Sequence, residues 1–255
     1  MSLLGDFAGA VPDWTGDNTR ILSQTLQTAF TPRNTLTHWD VDGQLGGPIR
    51  RDRLWFLVGL GAARDQFRPF NYSGPAATDR YDGSTLVKLD AAVRSSVRLQ
   101  GYYLGDRSTG EGVGLARDRP TLESTPDSRR RNHLWNARAT WLVSNATFVE
   151  VQNGGYTGST RNDPHPPATL AGPPTRFDQL ARVWSGNAVV VSRSDRNAVT
   201  TSARLSHRRR LWGGDHDVVA GFEFESSHAY EFSNLGGGRA EAYREGTMVG
   251  VTLWD

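Results

Sequence analysis

Cysteine is absent, which excludes a disulfide framework and any thiolate metal site. Lysine is almost absent too. Lys88 stands alone, so 28 of the 29 basic residues are arginine, and 27 acidic residues bring the net charge to +2. No apolar run approaches the ~18 residues of a transmembrane helix. The first ten residues lack the basic start of a signal peptide, and Asp6 interrupts their short apolar stretch. Hydrophobic residues make up 37% of the chain, below the roughly 45–50% of an ordinary soluble domain. A disordered chain would be poor in aromatics as well, whereas this one has 8 Trp, 7 Tyr and 10 Phe beside 28 Gly. That combination suits strands that offer only one face to an apolar medium.

What is present is a series of period-2 segments. Trp39, Val41 and Leu45 alternate with His38, Asp40, Asp42 and Gln44, the pattern of a strand with one wet and one apolar face. Gly46-Gly47-Pro48 and the charged run 50–53 read as a tight turn, and a second strand starts at Leu54 and runs to about Arg64. After a loop at 67–80, Thr85, Val87, Leu89 and Ala91 form one face of a third strand. A short turn at 93–95 leads to a fourth, with Val97, Leu99, Gly101 and Tyr103 on one face. A long polar loop is expected over 106–131. Trp135, Ala137, Ala139 and Trp141 then alternate with Asn136, Arg138 and Thr140, and a turn at 144–145 returns through Val149 and Val151. A proline-rich loop covers 154–180, and 181–194 stays unassigned. The last clear unit pairs 199–206 with 217–225 across a turn at 208–215, and a final strand is expected over 243–253. Residues 1–35 read as a polar excursion, in which Asp17-Asn18-Thr19 could cap a short helix through Ile21, Leu22, Leu26 and Phe30.

Short turns thus alternate with long loops, the asymmetry of outer-membrane barrels. A soluble sandwich would have strands every 8–12 residues and short turns at both ends. Trp135 and Trp141 lie ~20 Å apart along a strand, or ~15 Å along a membrane normal at ~40° tilt, a spacing that two aromatic girdles accommodate. The fold class expected is all-β, an antiparallel meander of long hairpins forming a partial outer-membrane β-barrel of about 9–10 strands, each ~10–13 residues long.

Gly46-Gly47-Pro48-Ile49-Arg50-Arg51-Asp52-Arg53-Leu54-Trp55-Phe56 resembles the hairpin near the start of the barrel in Oar-like TonB-dependent outer-membrane receptors. The likeness continues more weakly to about residue 225. It divides the chain into an N-terminal excursion, 1–35, and a partial receptor barrel, 36–255. It implies an outer-membrane location, contact with outer-membrane lipid, an unknown extracellular ligand, and energy drawn through the TonB system by way of a plug domain. No plug, signal peptide or barrel-closing segment is read in the sequence. The expectation is therefore a receptor fragment missing its true N-terminus and not competent for transport alone. The hairpin turns would face the periplasm, with Trp39 and Val41 toward lipid.

Candidate chemistry is sparse. Gly59-Leu60-Gly61 after a strand, with Asp82 about 20 residues on, hints at a dinucleotide fingerprint. Arg64 replaces its third glycine, and Pro69 leaves no room for the helix. Asp215-His216-Asp217 and Asp163-Pro164-His165 could each lend a metal ligand, but surface turns explain them as well. No nucleophile-elbow motif supports Ser/His/Asp catalysis. No catalytic, cofactor-binding or metal-binding residue is assigned, and no enzyme or cofactor is expected. The triplets Arg129-Arg130-Arg131 and Arg208-Arg209-Arg210 are read as loop charges or contacts to anionic lipid head groups rather than a nucleic-acid site. Arg98, Gln100, Asn136, Arg138, Glu150, Arg204 and Glu223 are expected to line a wet lumen. The alternative from a different class is a soluble or surface-exposed β-sheet binding module. A third reading closes eight strands into a small barrel.

Overall fold

A computed structural model of the chain describes residues 2–10, 33–211 and 214–253. The fold is all-β. Nine antiparallel strands form one large sheet in the order β1 (Ser2–Ala10), β2 (Asn34–Arg50), β3 (Leu54–Arg68), β4 (Thr78–Arg94), β5 (Val97–Glu111), β6 (Pro126–Ser144), β7 (Thr147–Pro164), β10 (Val191–Leu211) and β11 (Gly214–Asn234). From β2 onward each strand pairs with the next along the sheet through a hairpin ladder. The turns at 51–53, 95–96 and 145–146 lie at one end, and the connections 69–77, 112–125 and 165–190 at the other. The expected asymmetry of connections is therefore present.

The strands of these hairpins run 15–21 residues, longer than the 10–13 expected. The extra length comes from polar ends. β5 continues to Glu111 and β6 begins at Pro126, so Arg129-Arg130-Arg131 lies in a strand and not in a loop spanning 106–131. The same holds for β7, which reaches Pro164, and for Arg208-Arg209-Arg210 inside β10. Ladder hydrogen bonds join backbone groups and are indifferent to side-chain polarity. Hydrophobic alternation therefore marks only the middle of each strand.

Residues that face each other across a ladder share one side of the sheet. Leu99 stands opposite Ala91 and Ala139, Ala139 opposite Val151, Val151 opposite Ala203, and Ala203 opposite Phe222. Toward the other edge, Phe7 faces Val41, Val41 faces Ala62, and Leu45 faces Val58. The apolar positions of all nine strands thus join in one band, which Trp39 and Val41 share. Its side chains are left uncovered. Phe7 is 68% exposed, Leu60 61%, Trp141 51%, and Phe222 and Phe224 62% each. Within the band Trp135 stands opposite Gly155, where an added Cβ would lie 2.2 Å from the indole ring. The missing side chain is what lets the ring lie across the neighbouring strand.

Two expected elements differ. The start of the 1–35 excursion is an edge strand, β1, whose Leu3 and Phe7 extend the apolar band. The short helix expected around 17–30 falls outside the described residues. The final strand over 243–253 is instead a hairpin, β12 (Arg239–Arg244) and β13 (Thr247–Leu253), because Glu245 and Gly246 both take positive φ, 52° and 76°, and reverse the chain. This hairpin joins β8 (Thr175–Asp178) and β9 (Val183–Ser185) in a separate four-stranded sheet ordered β13-β12-β8-β9.

The closely packed interior sits in the long connections. Tyr72, Leu115, Ala188, Val191 and Leu235 are buried. Tyr72 donates its hydroxyl to the Pro120 carbonyl at 2.7 Å, and Thr78 to that of Gly112 at 2.9 Å. Fully buried Asn187 donates its amide to the carbonyls of Thr169 and Pro173, both at 2.9 Å. Thr175 donates toward Ala188 and Gly236, at 2.9 and 3.2 Å. These bonds tie the proline-rich connection to the turn Gly236-Gly237-Gly238.

Candidate functional site: the polar face of the large sheet

Alternation that turns the apolar positions to one side turns their neighbours to the other. Two adjacent rows result. One runs Arg98, Thr140, Glu150, Arg204, Gly221 across five strands, and the other Asp90, Gln100, Arg138, Gln152, Ser202, Glu223 across six. Asn136 lies one row farther, opposite Tyr102 and Gly154. All seven residues expected to line a lumen therefore share one face, on five consecutive strands.

Their charges are matched. Arg98 grips Asp90 with both arms, at 2.6 and 2.9 Å, and the Gln100 amide donates to the same carboxylate at 2.9 Å. Arg138 donates to Gln152 at 3.1 Å and lies 3.8 Å from Glu150. Farther along, Arg196 pairs with Glu231. Half-exposed pairs of this kind contribute at most about 1 kcal/mol each. They keep the polar groups satisfied more than they hold the sheet together.

Toward the long connections this face opens into two clefts. One, of about 660 Å³, is lined by Arg33, Asp65, Arg80, Arg130 and Thr160 among others. Arg33 bonds Asp65 at 2.6 Å and stacks its guanidinium 3.8 Å over the Phe67 ring. The second, of about 550 Å³, shares Arg80 and Arg130 and adds Asp40, Asp42, Asp82 and Asp106. Arg80 pairs with Asp82 at 2.8 Å, and Asn132 donates to Asp106 at 2.8 Å. The site thus presents interleaved charges of both signs, able to hold a polar or zwitterionic molecule through several charge-assisted hydrogen bonds. Sequence reading placed Asp40 and Asp42 on the wet face of a strand but missed Arg80, Asp106, Arg130 and Thr160, because it put 67–80, 106–131 and 154–180 in loops. Acid and arginine at every second position, continuing the strand phase, was the available signal.

A short apolar row also crosses this face: Leu86, Leu104 and Leu134 stand opposite one another in register. Gly59 and Gly61 sit mid-strand in β3 with no helix after them. A Cβ at Gly61 would meet Asp42 Oδ1 at 2.3 Å and Ser84 Oγ at 2.5 Å, so the glycine makes room for polar neighbours and does not cradle a pyrophosphate. His165 pairs with Asp127 at 2.9 Å, and His216 stands opposite Arg209. Among the described residues no group of three or more His, Cys, Asp or Glu is placed to hold a metal. Compared with known proteins, the chain matches no family model and no curated protein.

Proposed function

We propose that this chain forms part of the wall of an outer-membrane β-barrel of the TonB-dependent receptor type, with the apolar band in lipid and the polar face toward the passage of an extracellular ligand. One observation carries the reading: an uncovered apolar band in register across nine strands, backed by a charge-paired polar face. Contiguous apolar surfaces of this size mark a membrane or a partner, and alternation of lipid-facing with lumen-facing residues is the design of membrane barrels. The clefts open on the polar side, as they would if the sheet curls toward it. The resemblance of residues 46–56 to the Oar-like hairpin supplies the receptor type. The short turns then face the periplasm, and the ordered connections with their charged clefts meet the ligand outside.

The outer edges of β1 and β11 have no strand partner among the described residues. In hydrocarbon each unpaired backbone group costs several kcal/mol, so in this setting both edges take a strand partner, either each other or a further copy or segment, and transport requires the complete assembly. Expression behind an added signal sequence tests the reading. Recovery in the outer-membrane fraction with heat-modifiable gel mobility supports it. A soluble, monodisperse, protease-resistant product would identify a soluble β-sheet binding module instead.

A further inference from the structure

The arginines of the outward face are arranged in a way that the receptor reading does not use. On β5 to β10, beyond the aromatic level marked by Tyr103 and Trp135, the outward face changes character, whereas on β2 the same register rows carry Val41 and Trp39. Arg107 stands directly opposite Arg131, and one row farther out Arg129 stands opposite Arg161, which stands opposite Arg193. All five are exposed. The triplet 129–131 is divided by strand alternation, with Arg129 and Arg131 outward and Arg130 on the polar face near Asp106.

Like charges directly opposite on neighbouring strands destabilise a sheet, and here three such pairs are contiguous. Farther along this face Arg64 pairs with Asp79 at 2.6 Å, and within the patch Arg193 pairs with Asp195, also at 2.6 Å. Acidic Asp127 and Asp163 lie one row beyond, with Asp127 engaged by His165. Among the described residues, the side chains of Arg107, Arg129, Arg131 and Arg161 show no hydrogen bond or ion pair, and none of them is among those with interactions left undescribed. An anion from outside the chain would relieve their repulsion.

We propose that this patch binds the phosphate groups of phosphorylated lipid head groups in the leaflet on the long-connection side. The inference rests on the membrane reading above. Four and six residues past Tyr103 and Trp135 correspond to ~13 and ~20 Å along a strand, or ~10 and ~15 Å along the normal at ~40° tilt. That places the patch outside the hydrocarbon, and long arginine side chains can reach back toward the lipid phosphates. The planar guanidinium takes phosphate through two parallel hydrogen bonds, and adjacent forks can share one group.

The test uses the full chain folded into phosphatidylcholine vesicles, with and without one-fifth diphosphorylated lipid A, and follows insertion by protease protection and lipid retention by native mass spectrometry. Wild type is expected to insert in both and to retain lipid A. The variant R129Q/R131Q/R161Q should insert equally in phosphatidylcholine and lose lipid A affinity by on the order of a hundredfold, since each basic side chain at an anionic surface is worth roughly a factor of five. R130Q, on the other face, should retain lipid A as wild type does. If the triple variant fails to insert, R161Q alone should cost about fivefold. No insertion of wild type into either vesicle overturns the membrane reading. Normal insertion with equal lipid A retention by wild type and variant overturns the patch alone. Displacement of lipid A by millimolar inorganic phosphate, or arginine-dependent binding of duplex DNA in preference to lipid A, would also overturn it.

Discussion

On the large sheet the apolar side chains point away from the protein, while at its long-connection end they pack against one another. Phe222 and Phe224 are each 62% exposed, whereas Tyr72 and Leu115 are 2% and 3% exposed. The sheet is held by backbone ladders, and its apolar band has no protein partner among the described residues. The connections are held by a small core and by buried side-chain bonds to carbonyls. The proposed membrane setting would account for the difference: strands covered by lipid would gain nothing by turning apolar residues inward. Where water surrounds the connections, burying Tyr72, Leu115 and Leu235 is the ordinary hydrophobic solution.

The largest effect comes from reversing the polarity of the band. Leu99→Arg, at its centre, should weaken insertion into phosphatidylcholine vesicles by about 2–4 kcal/mol, whereas Gln100→Arg on the polar face should be close to neutral. Equal insertion of the two variants, or better solubility of L99R with no loss of folding, would break the comparison. Next come the buried bonds of the connections. Asn187→Leu orphans the carbonyls of Thr169 and Pro173 and should cost ~1–3 kcal/mol. The change should appear as faster proteolysis within 165–190, with heat-modifiable mobility unaltered. If the large sheet melts with it, the two regions form one cooperative unit.

Acid should also separate the two regions. Hydrogen bonds from Arg239 first and Tyr243 second hold the Glu241 carboxyl below the usual carboxylate range. The folded small sheet therefore binds fewer protons than its unfolded form. The stabilising contribution is complete above the ordinary glutamate value of about 4.3 and is lost as pH falls through the lower folded value. Hydrogen-exchange protection in β12 and β13, taken relative to intrinsic exchange at each pH, should be unchanged from neutrality to about pH 5 and fall below about pH 4, and E241Q should remove that acid dependence. The smallest effect is expected at the half-exposed pairs of the polar face. Asp90→Asn should shift stability by no more than about 1 kcal/mol in urea titration of the inserted protein.

The strand faces were legible residue by residue. Trp135 with Trp141, and Arg98 with Gln100, sit on the sides that alternation assigned, because a ladder allows only two orientations and a one-residue slip would reverse them all. Strand lengths were not legible, since polar ladders form as readily as apolar ones once the neighbouring strand is in place. The clefts went unread for the same reason, as Arg80 and Arg130 stand in strand ends that looked like loops.

By itself, then, the sequence determined the all-β class, the hairpin order of the large sheet and the division between an apolar and a polar face. Period-2 patterning and turn residues are local properties that one strand already displays. Only the tertiary structure decided that 2–10 adds an edge strand, that 239–253 leaves the large sheet for a second one, and that five arginines from four strands share one exposed patch. Those outcomes depend on register between distant segments, and register is set by the packing of whole hairpins.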